Sequence, residues 1–522
     1  MINTPRARRG MVTSPHHLAS QAGLSVLREG GNAIEATVAV AATLSVVYPH
    51  MLSIGGDAFW LVTQGNDDPL GVEACGAAGG KVTRDLYRGM SAIPQRGPLA
   101  ANSVAGAVSG WAAALEISAR WGGKLPLARL LEEAIYHAEA GFPVSDFLAA
   151  IGPEVQDGLA PQPGFKALMM PDGTWLKASA LLRQPALART LKRIATVGVE
   201  DFYRGELARA VAADLARAGS PLTADDLSKH RARERQPLSI KTSRGLLFNF
   251  PPPTQGVASL IILGLFDRLG VAAAEGFEHI HGLIEATKQA FRVRDRVVGD
   301  PDYMTERPED HLTDAALERM AGKIDKRRAA PWRAPVEGGD TAWMGAIDGQ
   351  GRAASHIQSV FDPFGSGVVL QETGIVWQNR GTSFSLDPAS VNPLMPGRKP
   401  FHTLNPAMAR LKDGRLVTYG TMGAHGQPQF QAAMFSRYAW FDQGFQQAVT
   451  APRWLIYGDV VQIESRVDPT VLDALRAAGH TIELMPPFAI RALGHSHGIA
   501  RHPDGSLEGA ADPRSDGSVA AF

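Results

Sequence analysis

Apolar residues recur at helical spacing through most of the first 300 positions of this chain, and the pattern turns to short alternating runs near residue 340. In "HLASQAGLSVLREGG" (17–31), Leu18, Ala22, Leu24, Val26 and Leu27 keep helical spacing, and Gly30-Gly31 supplies the stop. Asn32 is placed to cap a second helix over 33–47, whose small apolar residues run almost all the way round and mark it as buried. "SIGGDAFWLVTQ" (53–64) predicts a glycine turn feeding a buried strand. Helices are predicted around 104–120, 126–140, 204–217 and 256–269, and a long one over 277–297.

Past Thr341 the period changes. "TAWMGAID" and "AASHIQSVF" read as two strands joined by the hairpin sequence "GQGR". "GIVWQN" (374–379), "AMARLK" (407–412) and "LVTYG" (416–420) read as further strands, and 427–447 and 469–480 as helices. Helices on both sides of a strand-rich core predict an α+β fold with sheet layered between helices. The proline-bearing stretch 329–340 is the clearest internal boundary, and the chain carries no internal repeat.

Composition narrows the class of protein without naming a chemistry. At 522 residues the chain can bury a large core, enough by length for two to four domains. Lys+Arg and Asp+Glu both number 52, so bulk charge draws the protein towards neither nucleic acid nor an anionic membrane. The basic runs "RARRG" (6–10) and "DKRR" (325–328) read as solvated loop charges. A single cysteine, Cys75, excludes an internal disulfide and an all-cysteine metal site. The N-terminus lacks the apolar core of a secretory signal, and the longest apolar run, 36–47, is too short to span a bilayer. A soluble, cytoplasmic protein is expected.

The usual catalytic signatures are missing. There is no Gly-x-Ser-x-Gly elbow, and Cys75 in "VEACGAAGG" has no cysteine-protease surroundings. His279 and His281 are two apart on a helix and face different ways, while His495 and His497 lack a carboxylate at ligand spacing. "SIGGD", "GSG" and "GTMGAHG" match neither a Walker nor a dinucleotide fingerprint. "VEGGDTAWMG" has two readings. One is a turn running into a β-branched strand residue. The other is chemical: a free N-terminal threonine carries a hydroxyl nucleophile and, in its own α-amine, a base of near-neutral pKa. That device needs the Asp340–Thr341 bond cut, which the Thr341 hydroxyl itself can begin by attacking the Asp340 carbonyl.

Six blocks in order resemble the γ-glutamyltranspeptidase family of N-terminal-nucleophile hydrolases. They are residues 19–62, "NFPPPTQGVASLIILGLFD" (249–267), "RVRDRVVGDPDY" (292–303), "GDTAWMGAIDGQG" (339–351), "AVTAPRW" (448–454) and "GAADPRSDGS" (509–518). The resemblance implies a four-layer αββα sandwich made as a precursor. It implies self-cleavage between Asp340 and Thr341 into a large subunit, 1–340, and a small one, 341–522, that stay together as one composite domain. Thr341 falls on the family nucleophile, Ser359 on a threonine that hydrogen-bonds the nucleophile's amine, and Gly423 with Ala424 on the glycine pair of the oxyanion hole.

Departures from the pattern bear on the substrate. The arginine that holds a glutamate α-carboxylate in the family is Cys75 here, two positions at the α-amino end read Phe361 and Ser383, and a serine pair reads His402-Thr403. Cys, Phe and Ser cannot replace charge-assisted bonds, so a γ-glutamyl donor is disfavoured. "QNRGTSFS" (378–385) and "KPFHTLNPA" (399–407) resemble instead a branch of amidases and acylases. The expectation is an amidohydrolase of a small carboxylated amide, oxamate first, with Phe361 narrowing the pocket and Arg380 and His402 as candidates to hold the carboxylate. A pocket-rim ion pair for Arg380 and a structural loop bond for His402 are the plainer readings. No metal or organic cofactor is called for, and an oligomer of the two-subunit unit is left open. The alternatives are a γ-glutamyl hydrolase or transferase, a glutaryl-type acylase, and a non-catalytic binding protein that kept the fold.

Overall fold

In the strand Asp340–Asp348, Trp343 and Ile347 share one apolar cluster with Phe59, Ile357, Met408 and Ile499, while Ala342, Met344 and Ala346 belong to another. That alternation is the two-residue period of a strand buried on both faces, and it sets the architecture. The computed structural model describes residues 3–332, 339–489 and 491–522, and contains two seven-stranded sheets. The first runs Ser518–Ala521, Gly10–Ser14, Asp340–Asp348, Ala353–Phe361, Asp57–Thr63, Leu70–Ala74, Arg233–Arg235; the second runs Arg6–Ala7, Leu507–Ala510, Ser496–Arg501, Leu416–Thr421, Ala407–Leu411, Gly245–Asn249, Leu238–Lys241. Every neighbouring pair in both is antiparallel.

The sheets face each other across the cluster that holds Trp343, Phe59, Phe248 and Met408. Helices cover the outer faces: His17–Arg28, Ala33–Val47 and Ala107–Arg120 on the first, Gly256–Leu269, Phe277–Val297 and Gln427–Ala439 on the second. This is the expected αββα sandwich. Both sheets contain strands from before 340 and strands from after it. Part of the stretch 329–340, residues 333–338 with the Gly338 turn, lies outside the described residues. Among the described residues no helix is long and apolar enough to cross a membrane.

Local sequence explains the helix that backs the strand Asp340–Asp348. Ala33–Val47 is buried at every position, and Asn32 caps it in a full capping box: Asn32 Oδ1 accepts from Ile34 and Glu35 N–H, and Glu35 Oε2 accepts the Asn32 N–H at 2.8 Å. Gly420, on the opposite sheet, leaves room for the Trp343 indole; a Cβ there would lie 2.1 Å from it.

Four expectations need correction. "GIVWQN" forms no strand, only isolated bridges at Val376 and Trp377, because its N–H groups are spent on loops: Trp377 donates to Val368 O and Gln378 to Gly55 O. The 126–140 helix breaks at Leu131 into Leu127–Leu130 and Glu132–Ala140. The 427–447 helix is Gln427–Ala439 and Phe445–Thr450, parted by a turn in which Asp442 takes φ +50°. "RARRG" is more than loop: Arg6–Ala7 is an edge strand, and Gly10 opens a strand paired to Asp340–Asp348.

Candidate active site

Thr341 lies at an irregularity in the pairing. Asp340 pairs with Phe361 and Ala342 with Gln358, so one strand advances three residues while the other advances two. Such a bulge re-aims a side chain. The buried Thr341 hydroxyl donates to Ser359 Oγ at 3.3 Å, and Ser359 Oγ accepts the Phe361 N–H at 2.7 Å. That second bond ends the strand by turning Phe361 to φ +81°, a conformation a bulky residue adopts only when its surroundings enforce it.

The loop 420–426 comes to the same place. An ideal Cβ built on Gly339 would lie 2.9 Å from Ala424 Cβ and 2.9 Å from the Phe361 ring. The chain just before Thr341 therefore runs between the proposed oxyanion loop and Phe361. Gly423 holds φ +120° and Ala424 φ +44°, so alanine here does adopt the left-handed backbone that glycine tolerates more readily. Gln255 clamps it: Nε2 donates to Ala424 O and to Thr403 O, each at 2.8 Å, while Oε1 accepts from Arg294 Nη1 at 3.0 Å.

Arg380 is buried, not at a rim. Its guanidinium lies 3.7 Å over the Phe361 ring and donates to Ser383 Oγ at 3.3 Å and Thr403 Oγ1 at 3.2 Å. One arginine thus gathers Phe361, Ser383 and Thr403. His402 sits behind this group with Nε2 3.4 Å from Asp57 Oδ2, a contact that makes no hydrogen bond. It is no ion pair either, since burial, reinforced by Arg380 and Lys399, holds the imidazole well below its ordinary pKa. Burial raises Asp57 to about 7, against the pull of the Gly76 N–H, the Gln378 side chain, the Gly106 N–H and Arg380.

Cys75 stands apart from this constellation. It belongs to the apolar cluster of Phe59 and Phe250, and burial pushes its thiol well above the usual range, with Glu73 adding to the effect. It also lines a cavity of about 320 Å³ with His230, Asp300 and Lys399. A larger cavity, about 740 Å³, opens near Glu275 and Arg466 and shares no residue with the Thr341 site.

Asp57, Gln255 and Arg294 were missed in the sequence. Asp57 had a signal, a polar residue opening the buried apolar strand "DAFWLV", whereas Arg294 had none, lying in Phe277–Val297 beside the buried His281, Glu285, Lys288 and Gln289. The blocks containing Arg453 and Arg514 also acquire a role. Asp512 lies buried between the two guanidiniums and accepts the Ser496 N–H, and Arg453 also binds the carbonyls of Leu493 and Gly494. Met422, next to Gly423, donates to His495 O at 3.0 Å, so this buried charge cluster braces the 420–426 loop from behind.

Of the histidines weighed above as metal ligands, His279, His281 and His497 have partners within the protein. His279 bonds Ser436 Oγ, and His497 Nδ1 accepts the Asp512 N–H. His281 meets His480 at 2.8 Å with Glu285 nearby, but Glu285 is paired with Lys288 at 2.6 Å and His281 with Asp325 O. That group ties the helix Phe277–Val297 to the far end of the chain.

Comparison with known proteins bears on the whole chain. The family model described as gamma-glutamyltranspeptidase matches residues 19–522. The oxamate amidohydrolase proenzyme of Klebsiella pneumoniae is 48% identical over 520 residues, covering 98% of each chain. The glutathione hydrolase-like YwrD proenzyme of Bacillus subtilis is 37% identical over 518 residues, again covering 98% of each. Among solved structures, the cephalosporin acylase from Bacillus halodurans superposes with a TM-score of 0.91 at 34% identity, covering 100% of this chain and 97% of that one.

Proposed function

Because the chain belongs to the gamma-glutamyltranspeptidase family, we propose that it is a self-processing amidohydrolase acting on a small carboxylated amide, oxamate before others. In processing, Thr341 Oγ1 attacks the Asp340 carbonyl carbon, the peptide C–N bond breaks, and the hydroxyl proton passes to the Thr341 nitrogen. Water then opens the ester, leaving a carboxylate on Asp340 and a free amine and hydroxyl on Thr341. Residues 1–340 and 341–522 become the large and small subunits.

In turnover the amine takes the hydroxyl proton as Oγ1 adds to the amide carbonyl. The N–H groups of Gly423 and Ala424 hold the oxyanion, where fixed donors act without reorganising. Collapse expels ammonia with the proton returned from the amine. Water, deprotonated by the same amine, hydrolyses the oxalyl ester. The sum is oxamate plus water to oxalate plus ammonia. One group serves as base and then acid, so no step calls on a metal or an organic cofactor. Arg380, set by Ser383 and Thr403, holds the substrate carboxylate in charge-assisted bonds.

The observation that carries this reading is the Phe361 ring. Arg380 lies 3.7 Å over it, and its Cε2 meets position 339. A buried cation one ring from the scissile junction suits an acyl group whose carboxylate adjoins the reacting carbonyl. The name of the Klebsiella relative agrees with it. A glutaryl-type or γ-glutamyl acyl group is the rival, favoured by the likeness to a cephalosporin acylase, but its longer chain has to pass the same ring. Denaturing gels should show two fragments for wild type and one for Thr341→Ala, and ammonia should be released from oxamate faster than acyl transfer from a γ-glutamyl anilide or a glutaryl amide. A wild type that stays whole on prolonged incubation removes the mechanism; turnover of the anilide with none of oxamate removes the substrate.

A further inference from the structure

We propose that Asp57 is a specificity-determining residue whose carboxyl, shared with His402, takes up one proton as a substrate carboxylate docks on Arg380. The proposal rests on the reading of Arg380 as the carboxylate site.

Asp57 pairs with Ser359 across adjacent strands, which places it one strand from the nucleophile's hydrogen-bond partner. Its Oδ1 is satisfied by the N–H groups of Gly76, at 3.1 Å, and Gly106, at 3.0 Å. Its Oδ2 makes no hydrogen bond of ordinary geometry, although the Gln378 side chain pulls on the carboxyl. The imidazole of His402 is in the same condition at both ring nitrogens, although its backbone is pinned: N–H to Pro253 O, C=O from Gln255 N–H. Native interiors rarely leave buried polar atoms so, and such a pair asks for a reason. Oδ2 and Nε2 face each other at 3.4 Å, a gap that a single added proton, held by the carboxyl and offered to the ring, can close into a hydrogen bond.

Arg380 acts electrostatically on both members. While Asp57 is ionised, Arg380 has a partial counter-charge. Docking a substrate carboxylate then puts two anions on one buried cation, and uptake of a proton from solvent by Asp57 removes the excess. Product release returns the proton. No neighbour does this instead. The Cys75 thiol and the Tyr203 hydroxyl are held neutral by burial, and Lys399 and Glu73 are paired with each other. The position of Asp57 at about 7 puts the uptake within the working range of an N-terminal amine.

The test is KM for oxamate, measured separately from kcat, on mature enzyme from about pH 6 to about pH 9. Wild-type KM should rise above neutrality, by up to about tenfold for each pH unit in which the proton is required. Asp57→Asn, neutral at every pH, should keep KM low and flat through the alkaline range, so that removing a carboxylate improves binding there. A variant whose KM climbs like wild type, or a wild type with flat KM, overturns the proposal. Arg380→Gln decides the reading beneath it: an unchanged KM at acid pH removes the carboxylate site itself. Should Asp57→Asn fail to fold, calorimetry of oxalate binding to mature wild type near neutral pH, in phosphate and in Tris, counts the proton directly. An uptake supports the proposal, and none overturns it.

Discussion

Replacing Gln255 with leucine should slow the enzyme by releasing the Ala424 peptide. Ala424 keeps a left-handed backbone, which costs an L-residue about 1–2 kcal/mol. Against that stands the Gln255 Nε2 bond to its carbonyl at 2.8 Å, worth about 1 kcal/mol net. The two are close to balance. Removing the bond should shift the Ala424 peptide out of its productive conformation by about fivefold, since about 1 kcal/mol is about a factor of five. Where the N–H turns fully away, the loss approaches the hundredfold or more of a missing oxyanion donor. The Thr403 carbonyl and the Arg294 guanidinium lose the same partner, so stability falls by about 2 kcal/mol as well. The assay is kcat for ammonia release by Gln255→Leu, Ala424→Gly and the double variant. Glycine has no left-handed penalty, so it should restore most of the rate lost in Gln255→Leu. A Gln255→Leu enzyme with wild-type kcat, or a double variant no faster than the single, refutes the clamp.

Three further outcomes follow from packing and charge. Gly339→Ala adds a methyl 2.9 Å from both Ala424 and Phe361 at φ +153°, an overpacking cost of about 1–3 kcal/mol, so fragment formation on a gel time course should slow by about tenfold or more; unchanged kinetics would mean that the junction is not held there. Phe361→Gly relieves φ +81° and opens the pocket, so hydrolysis of a glutaryl amide should gain on oxamate by at least about tenfold; a fixed ratio would acquit Phe361 of any part in selecting the acyl group. Asp512→Asn strips the buried Arg453 guanidinium of its carboxylate partner, while Arg514 keeps Glu464, and should cost about 3–5 kcal/mol in chemical denaturation. Burial alone would raise Asp512, but Arg453 and Arg514 hold it below the usual carboxylate range; its contribution is therefore full above about pH 4 and fades as pH falls towards the folded value, so wild type and variant should converge in acid.

Periodicity made the helices and the switch to strands legible, because each depends on neighbours in sequence. Asn32 with Glu35 three residues on is a cap readable from four letters, and the structure has it. "GIVWQN" misled for the opposite reason: its composition suits a strand, yet strand status depends on where distant N–H groups find acceptors. The strand Gly10–Ser14 was hidden by the basic run before it and the polar Thr13 and Ser14. In the site, motif positions placed Thr341, Ser359 and the 423–424 loop. The groups that hold them, Gln255, Arg294 and Asp57, act across 39 to 345 positions of sequence, and nothing local announces such partners.

The mixing within each sheet of strands from either side of position 340 has a bearing on molecularity. Each sheet draws its strands from residues on both sides of the Asp340–Thr341 bond. The precursor can assemble them by a first-order reaction, with its own backbone as the tether. Once the bond is cut, the same sheets can be rebuilt only by two chains meeting, at a rate set by concentration and with an added translational entropy cost. Cleavage leaves the native contacts in place while making their loss hard to reverse. The lifetime of the mature protein is therefore governed by how slowly it opens, and not by a refolding equilibrium that the precursor alone can reach.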